Sequence, residues 1–363
     1  MSEFSESDRK ALEQLGFDRW FQDQSEPFLK EGLSVARILE VHRNSYKVCA
    51  GQHNAKAKLS GRFKFHSQRS VDYPAVGDWV VLRQAGKTSP AIIHDVVPRK
   101  SLLKRKEPGR TVAFQAIAAN IDAAFVIQSV DSNFDLNRLE RYLVMIHESE
   151  IRPVVVLSKT DLISADELSE IHDKIERFRS KYLFLPISNV TGDGIDALRD
   201  ELKANHTYCL LGSSGVGKTT LLNTLLGERL FEVADVREKD RKGRHTTTKR
   251  HLIRLESGPL FIDTPGMREL GNFAIDTGLD ETFDDIAAYS RQCRFNDCSH
   301  THEKDCAVRA AVEQGLLDEA SYQNFIKIQA ESAFYDRSLV GRKKKAKGLS
   351  RVRKRYSKSR KKP

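Results

Sequence analysis

No apolar run in this chain approaches the ~18 residues that a membrane-crossing helix needs. Cysteine is scarce: Cys49, Cys209, Cys293, Cys298 and Cys306 are the only five among 363 residues. An odd, small number in a long chain excludes a disulfide framework as the organising element. The 10 prolines and 21 glycines are too few for a collagen-like or low-complexity chain. The opening MSEFSESDRK lacks the basic and apolar stretches of a secretory signal, so a cytoplasmic protein with no membrane association is expected. Acidic residues are missing altogether from 341–363, which holds 13 Lys and Arg. The other 340 residues carry 47 basic and 50 acidic side chains, so the rest of the chain is near neutral and the positive charge sits in that last stretch. A run of this kind is either a solvated, disordered end or an arm for a polyanion, and the complete absence of acids favours the arm.

What is present divides into five segments. Residues 1–32 form a helical lead-in with Leu12, Leu15, Phe17, Trp20 and Phe21 as its apolar face. Residues 33–102 hold short β-type runs broken by Gly, Pro and Asn, the pattern of a small barrel of the oligonucleotide-binding type. Phe63, Phe65, Tyr73 and Trp79 are candidate stacking faces for bases there, or parts of the core. From 112 to 273 apolar strands alternate with amphipathic helices, which implies a mostly parallel sheet covered on both faces. Residues 274–340 contain a cysteine cluster and helical runs, and 341–363 is the basic tail.

The α/β segment carries the chemistry. Gly212-Ser213-Ser214-Gly215-Val216-Gly217-Lys218-Thr219 fits the phosphate-loop pattern G-x-x-x-x-G-K-[ST], between the strand HTYCLL and a helix that continues through Thr220. Its glycines let backbone N–H groups face the phosphates, Lys218 bridges the β- and γ-phosphates, and Thr219 ligates Mg²⁺. Asp263 and Gly266 of DTPG close a later strand, one for the Mg²⁺ shell and one for the γ-phosphate. Between them lies GRHTTT, where Thr246 or Thr247 stands in the place of a switch threonine. Ser158-Lys159-Thr160-Asp161 is similar to the guanine motif N-K-x-D, with Asp161 accepting from the base and Ser158 replacing Asn. Ser188 ends another strand, where a loop abuts the base. The base motifs precede the phosphate loop, opposite to the usual GTPase order, so one pocket can form only if the sheet connectivity is circularly permuted. Cys293, Cys298 and Cys306 with His300 or His302 offer a closed tetrahedral set for one structural Zn²⁺.

Barrel, permuted motifs and C-x4-C-x-H-x5-C knuckle together, over roughly 33–335, resemble the small-subunit-dependent ribosomal GTPases, the RsgA/YjeQ family. The resemblance implies His300 as the fourth zinc ligand and His245 of the switch loop as a hydrolytic residue beside Lys218 and Thr219. It implies hydrolysis of GTP to GDP, binding to the 30S subunit and its 16S rRNA late in assembly, and release on hydrolysis. A monomer is expected. Two competing readings are an RNA-binding assembly factor holding GTP as a structural ligand, and a P-loop enzyme acting on a small molecule. Intact Lys218, Thr219 and Asp263 weigh against the first, and the lack of a visible acceptor-activating motif against the second.

Overall fold

The computed structural model of the protein describes residues 6–30, 32–84, 89–106, 113–227, 250–263 and 278–333. These belong to two compact units. One joins the N-terminal helices, a barrel and an α/β sheet; the other holds the residues from 278 onward together with a short stretch near 105–114.

The first unit opens with α1 (Glu6–Gln14) and α2 (Arg19–Ser25). Asp18 caps α2 by accepting from the Phe21 N–H at 3.2 Å, which satisfies an otherwise orphaned helix donor. Five strands follow: β1 (Ser34–Val41), β2 (Tyr46–Ala50), β3 (His53–Leu59), β4 (Trp79–Arg83) and β5 (Ala91–Val96), with α3 (Gly61–His66) between β3 and β4. The sheet runs β1-β2-β3-β5-β4 and closes by pairing β4 back to β1. Only β3 and β5 pair parallel. This is the expected oligonucleotide-binding type of barrel.

Period-two alternation explains why β1 and β4 are buried on both faces. Ala36, Ile38, Val80 and Leu82 point into the barrel with Val48, Ala57 and Ile93. Their neighbours Val35, Trp79 and Val81 form an outer layer under Leu12 and Phe21 of the lead-in helices. Trp79 is therefore fully buried and is no stacking face for a base. Phe63 is half-buried edge-on to Tyr73, with ring centroids 6.3 Å apart. Of the four barrel aromatics only Phe65 is freely exposed, at 83%.

After a short ribbon of β6 (Leu102–Lys106) and β7 (Phe114–Ala119) comes the α/β sheet. Its elements are β8 (Ala123–Ser129), α4 (Leu136–Glu148), β9 (Arg152–Ser158), α5 (Ala165–Arg179), β10 (Phe184–Ile187), α6 (Ile195–Asp200), β11 (Thr207–Leu211), α7 (Lys218–Leu226), β12 (His251–Arg254) and β13 (Leu260–Asp263). The strand order is β10-β9-β8-β11-β13-β12, parallel except for β12. Phe125, Ile127, Val154, Val156, Tyr208, Leu210 and Phe261 build one face of its core with Leu221 and Leu222 of α7. The edge strand β12 pairs antiparallel with β1 at His251 and Glu40, so barrel and α/β sheet share one hydrogen-bonded sheet.

In the second unit α8 (Gly278–Thr282), α9 (Asp284–Ser290), α10 (Ala307–Glu313) and a helix over 319–333 surround a small core. Leu279, Phe283, Ile286, Val308 and Phe325 are buried in it, with Phe283 edge-on to Phe325 at 5.5 Å. No helix among the described residues is long and apolar enough to cross a membrane.

Candidate functional site

Open parallel sheets bind ligands beyond the carboxyl ends of their strands, and there the motifs of this chain converge. Gly212 follows β11 directly. Its φ of +150° is accessible to glycine, and a Cβ there would lie 2.4 Å from the Ile127 carbonyl oxygen. Gly217, at φ +94°, caps the start of α7. Ser214 and Gly215 are exposed at the loop tip, while Val216 is buried and anchors the loop to the core. The Lys218 ammonium folds over its own loop, donating to the Gly212 carbonyl at 2.8 Å and the Ser213 carbonyl at 2.5 Å. A lysine beside a glycine-rich loop that opens a helix is an arrangement suited to a polyphosphate. Thr219 and Thr220 follow in the first turn of α7, half-buried.

The base motifs reach this loop from β9 and β10. Ser158 ends β9 fully buried, and its hydroxyl donates to the Val216 carbonyl at 2.7 Å. Lys159 takes the left-handed conformation, φ +63°, which turns the chain sharply at the strand end. Asp161 is exposed, and its Oδ1 accepts from Ser188 at 2.6 Å. Ser188 in turn accepts from the Val190 and Thr191 N–H groups, each at 3.1 Å, so one hydroxyl fixes both the turn and the carboxylate. Asn189 places its Nδ2 at 3.5 Å from the Gly217 carbonyl. Segments 58 and 28 residues before the loop thus meet around it, with the order base-before-phosphate that a permuted sheet requires.

Asp263 ends β13 on the same rim. Burial pushes its carboxyl above the usual carboxylate range, and His251 and Lys218 oppose that shift. A buried carboxylate facing a lysine is suited to a cation brought by a nucleotide. Thr160 is half-buried in the turn between Lys159 and Asp161. His245, Thr246, Thr247 and Gly266 lie outside the described residues.

Sequence reasoning missed two residues that the fold adds to this rim. Asp131, just beyond β8, holds Lys159 at 2.8 Å and accepts from Ser129 at 2.8 Å and the Asn133 N–H at 3.0 Å. Burial works against its ionisation, but these bonds outweigh it and keep its carboxyl below the usual range. Asn133 then donates to Ser213 of the phosphate loop at 3.2 Å. The only signal in the sequence was position: VDSN is a polar cluster closing an apolar strand.

In the second unit, Cys293, Cys298, His300 and Cys306 bring one ligand atom each to within 4.8 Å of one another. Ligands on a tetrahedral ion with bonds of about 2.3 Å to sulfur and about 2.0 Å to nitrogen stand about 3.8 Å apart for two sulfurs and about 3.5 Å for sulfur and nitrogen. Here the Cys293–Cys306 sulfurs are 3.9 Å apart, and His300 Nδ1 lies 3.6 Å and 3.5 Å from them. The donor set therefore fits a metal ion. His300 is oriented from behind, with Nε2 at 3.2 Å from the Ser290 hydroxyl and its carbonyl accepting from Tyr322 at 2.7 Å. His302 is exposed, its Nδ1 beside Thr301 Oγ1 at 2.8 Å, and stays out of the group.

Barrel, permuted α/β sheet and phosphate loop define a circularly permuted P-loop GTPase. Known proteins agree. The family model for the RsgA GTPase matches residues 96–273. Over 332 residues the chain is 38% identical to the small ribosomal subunit biogenesis GTPase RsgA of Opitutus terrae, covering 89% of this chain and 90% of that protein. It is 39% identical over 326 residues to the small ribosomal subunit biogenesis GTPase RsgA 2 of Listeria monocytogenes, covering 90% of each. Among solved structures it is similar to YjeQ from Thermotoga maritima, with TM-score 0.63, 28% identity, and 83% and 99% of the two chains covered. It is also similar to YloQ, described as a circularly permuted GTPase, with TM-score 0.59, 26% identity, and 84% and 96% covered. The chain belongs to the RsgA GTPase family, and it is a GTP hydrolase.

Proposed function

We propose that this GTPase acts in the biogenesis of the small ribosomal subunit, binding the 30S particle through 16S rRNA and leaving it when GTP is hydrolysed. The names of its relatives support the partner. The bond from Ser158 to the Val216 carbonyl, which ties the base motif to the phosphate loop, carries the nucleotide assignment. In this reading Asp161 accepts from the guanine donors, Ser188 orients it, and Lys159 lies along the base. Gly212 to Gly217 wrap the phosphates, and Lys218 leaves its own carbonyls to bridge β- and γ-oxygens. Mg²⁺, when bound with GTP, neutralises charge on the transferring phosphoryl group. Thr219, Asp263 and a switch threonine, Thr246 or Thr247, are the residues suited to hold it, and Gly266 offers its N–H to the γ-phosphate. Met267 follows Gly266 and has no group to orient water, so hydrolysis unaided by the ribosome is slow. His245 is the residue that orients water once its loop meets RNA.

Zinc is the ion assigned to Cys293, Cys298, His300 and Cys306, with a structural role, since four protein ligands leave no open position. RNA binding falls to the barrel, where exposed Phe65 lies among exposed Arg62, Lys64 and Arg69, and to the basic tail. The protein works as a cytoplasmic monomer. The test is GTP turnover with and without purified 30S subunits, with 50S subunits and ATP as controls. Stimulation by 30S alone and selectivity for GTP are expected. A rate unmoved by 30S subunits removes the ribosomal assignment.

A further inference from the structure

Guanine presents two kinds of edge. Its N1–H and exocyclic amine are donors, which Asp161 meets in the reading above. Its N7 and O6 are acceptors, and a base pocket must supply donors to them or leave them unsatisfied. The side chains at the ends of β9 and β10 are mostly engaged elsewhere. Ser158 has a single O–H, and that donates to the Val216 carbonyl at 2.7 Å. Ser188 donates to Asp161 at 2.6 Å, and Thr191 to Asp193 at 2.6 Å. Lys159 is held by Asp131 at 2.8 Å.

Asn189 differs from all of these. Its Nδ2 approaches the Gly217 carbonyl only at 3.5 Å, the outer limit of a hydrogen bond. Its Oδ1 is shielded from solvent and has no hydrogen-bond partner among the described residues. An amide nitrogen carries two hydrogens, and Gly217 engages at most one. The side chain is also pressed on the loop: a Cβ at Gly217 would stand 3.0 Å from Nδ2. A poorly satisfied amide is thus fixed where the base loop meets the last glycine before Lys218. Serine at 158 removes an amide from the base site, and Asn189 supplies one beside it.

We propose that Asn189 is a specificity-determining residue, its side-chain amide donating to N7 of guanine in place of the amide that Ser158 lacks. The inference rests on the guanine-nucleotide reading of this pocket. Full-length, nucleotide-free protein is titrated with a fluorescent GDP, which is then displaced by GDP, by 7-deaza-GDP and by ADP. The wild type should bind 7-deaza-GDP about threefold to tenfold more weakly than GDP, the worth of one neutral hydrogen bond. Asn189→Ala should lose a similar factor for GDP and bind the two ligands equally. Asn189→Asp keeps the shape and lacks the donor, so it makes the same comparison should the alanine variant fail to fold. Equal binding of both ligands by the wild type, or full discrimination by either variant, overturns the proposal. A wild type that does not prefer GDP to ADP defeats the guanine reading itself. A retained GDP preference with an unchanged 7-deaza ratio in the variants removes Asn189 alone.

Discussion

Replacing Arg37 by methionine tests how the barrel is fastened to the GTPase sheet. Arg37 stands on β1 and is 1% exposed. It donates to the carbonyls of Gly77 and Asn120 at 3.2 Å, to Thr207 Oγ1 at 2.8 Å, and to the Leu15 carbonyl. One guanidinium therefore joins the lead-in, a barrel turn and two segments at the base of the α/β sheet. Burial pushes its pKa down to about 10, against the pull of Asp122 and Asp78. At about 1.4 kcal/mol per unit, holding the charge inside costs roughly 3 kcal/mol. Bonds from a charged donor contribute about 1.5–3 kcal/mol each, so the set outweighs that cost even when they do not add fully. Methionine fills part of the volume but removes the guanidinium bonds to the Leu15 and Asn120 carbonyls and to Thr207, while the Gly77 carbonyl keeps its bond from Asn120 Nδ2 at 3.1 Å. We expect Arg37→Met to lower stability by about 3–5 kcal/mol. Urea unfolding followed by tryptophan fluorescence measures this, because Trp79 lies 5.4 Å from the Arg37 guanidinium carbon. A loss under about 1 kcal/mol at unchanged m-value would show that the desolvation cost cancels the bonds and that this reasoning is wrong.

Lys218→Ala should abolish GTP turnover with little change in melting temperature, since its ammonium bonds to the Gly212 and Ser213 carbonyls of its own loop; a melting temperature many degrees lower would recast the lysine as structural. Burial pushes the Cys209 thiol up to about 12, so it stays protonated at pH 8 and should resist iodoacetamide until the protein unfolds; rapid native labelling at Cys209, read by mass spectrometry, would contradict that. Chelation should release one zinc per chain and strip hydrogen-exchange protection from 278–333 while β8, β9 and β11 keep theirs; uniform loss would mean that the ion supports the whole fold. Removing 341–363 should weaken 30S binding and flatten its salt dependence, as each lost phosphate contact lowers that slope; an identical salt titration would leave the tail a solubilising end.

How much could be read beforehand depended on how local each feature was. The phosphate loop is legible because its backbone geometry demands glycine at fixed spacing, as Gly212 and Gly217 show. The metal group is legible because its ligands lie within 14 residues, although the choice of His300 over His302 needed the family resemblance. The barrel was visible in its strand spacing, but Trp79 was ambiguous. Its burial follows from the N-terminal helices packing over the outer face of β1 and β4, a tertiary event without a local signature. The pairing of β12 with β1, which extends the sheet into the barrel, was invisible for the same reason. Asp131 and Asn133 carry no such local signal, because each acts on a residue at least 28 positions away.

One nucleotide pocket should span the ends of β9, β10, β11 and β13. A crystal structure with a non-hydrolysable GTP analogue tests it directly. The expected result is the guanine against Asp161 and Asn189 with the triphosphate wrapped by residues 212–219 and Lys218. An analogue bound elsewhere, or a base pointing away from Asp161, would contradict it.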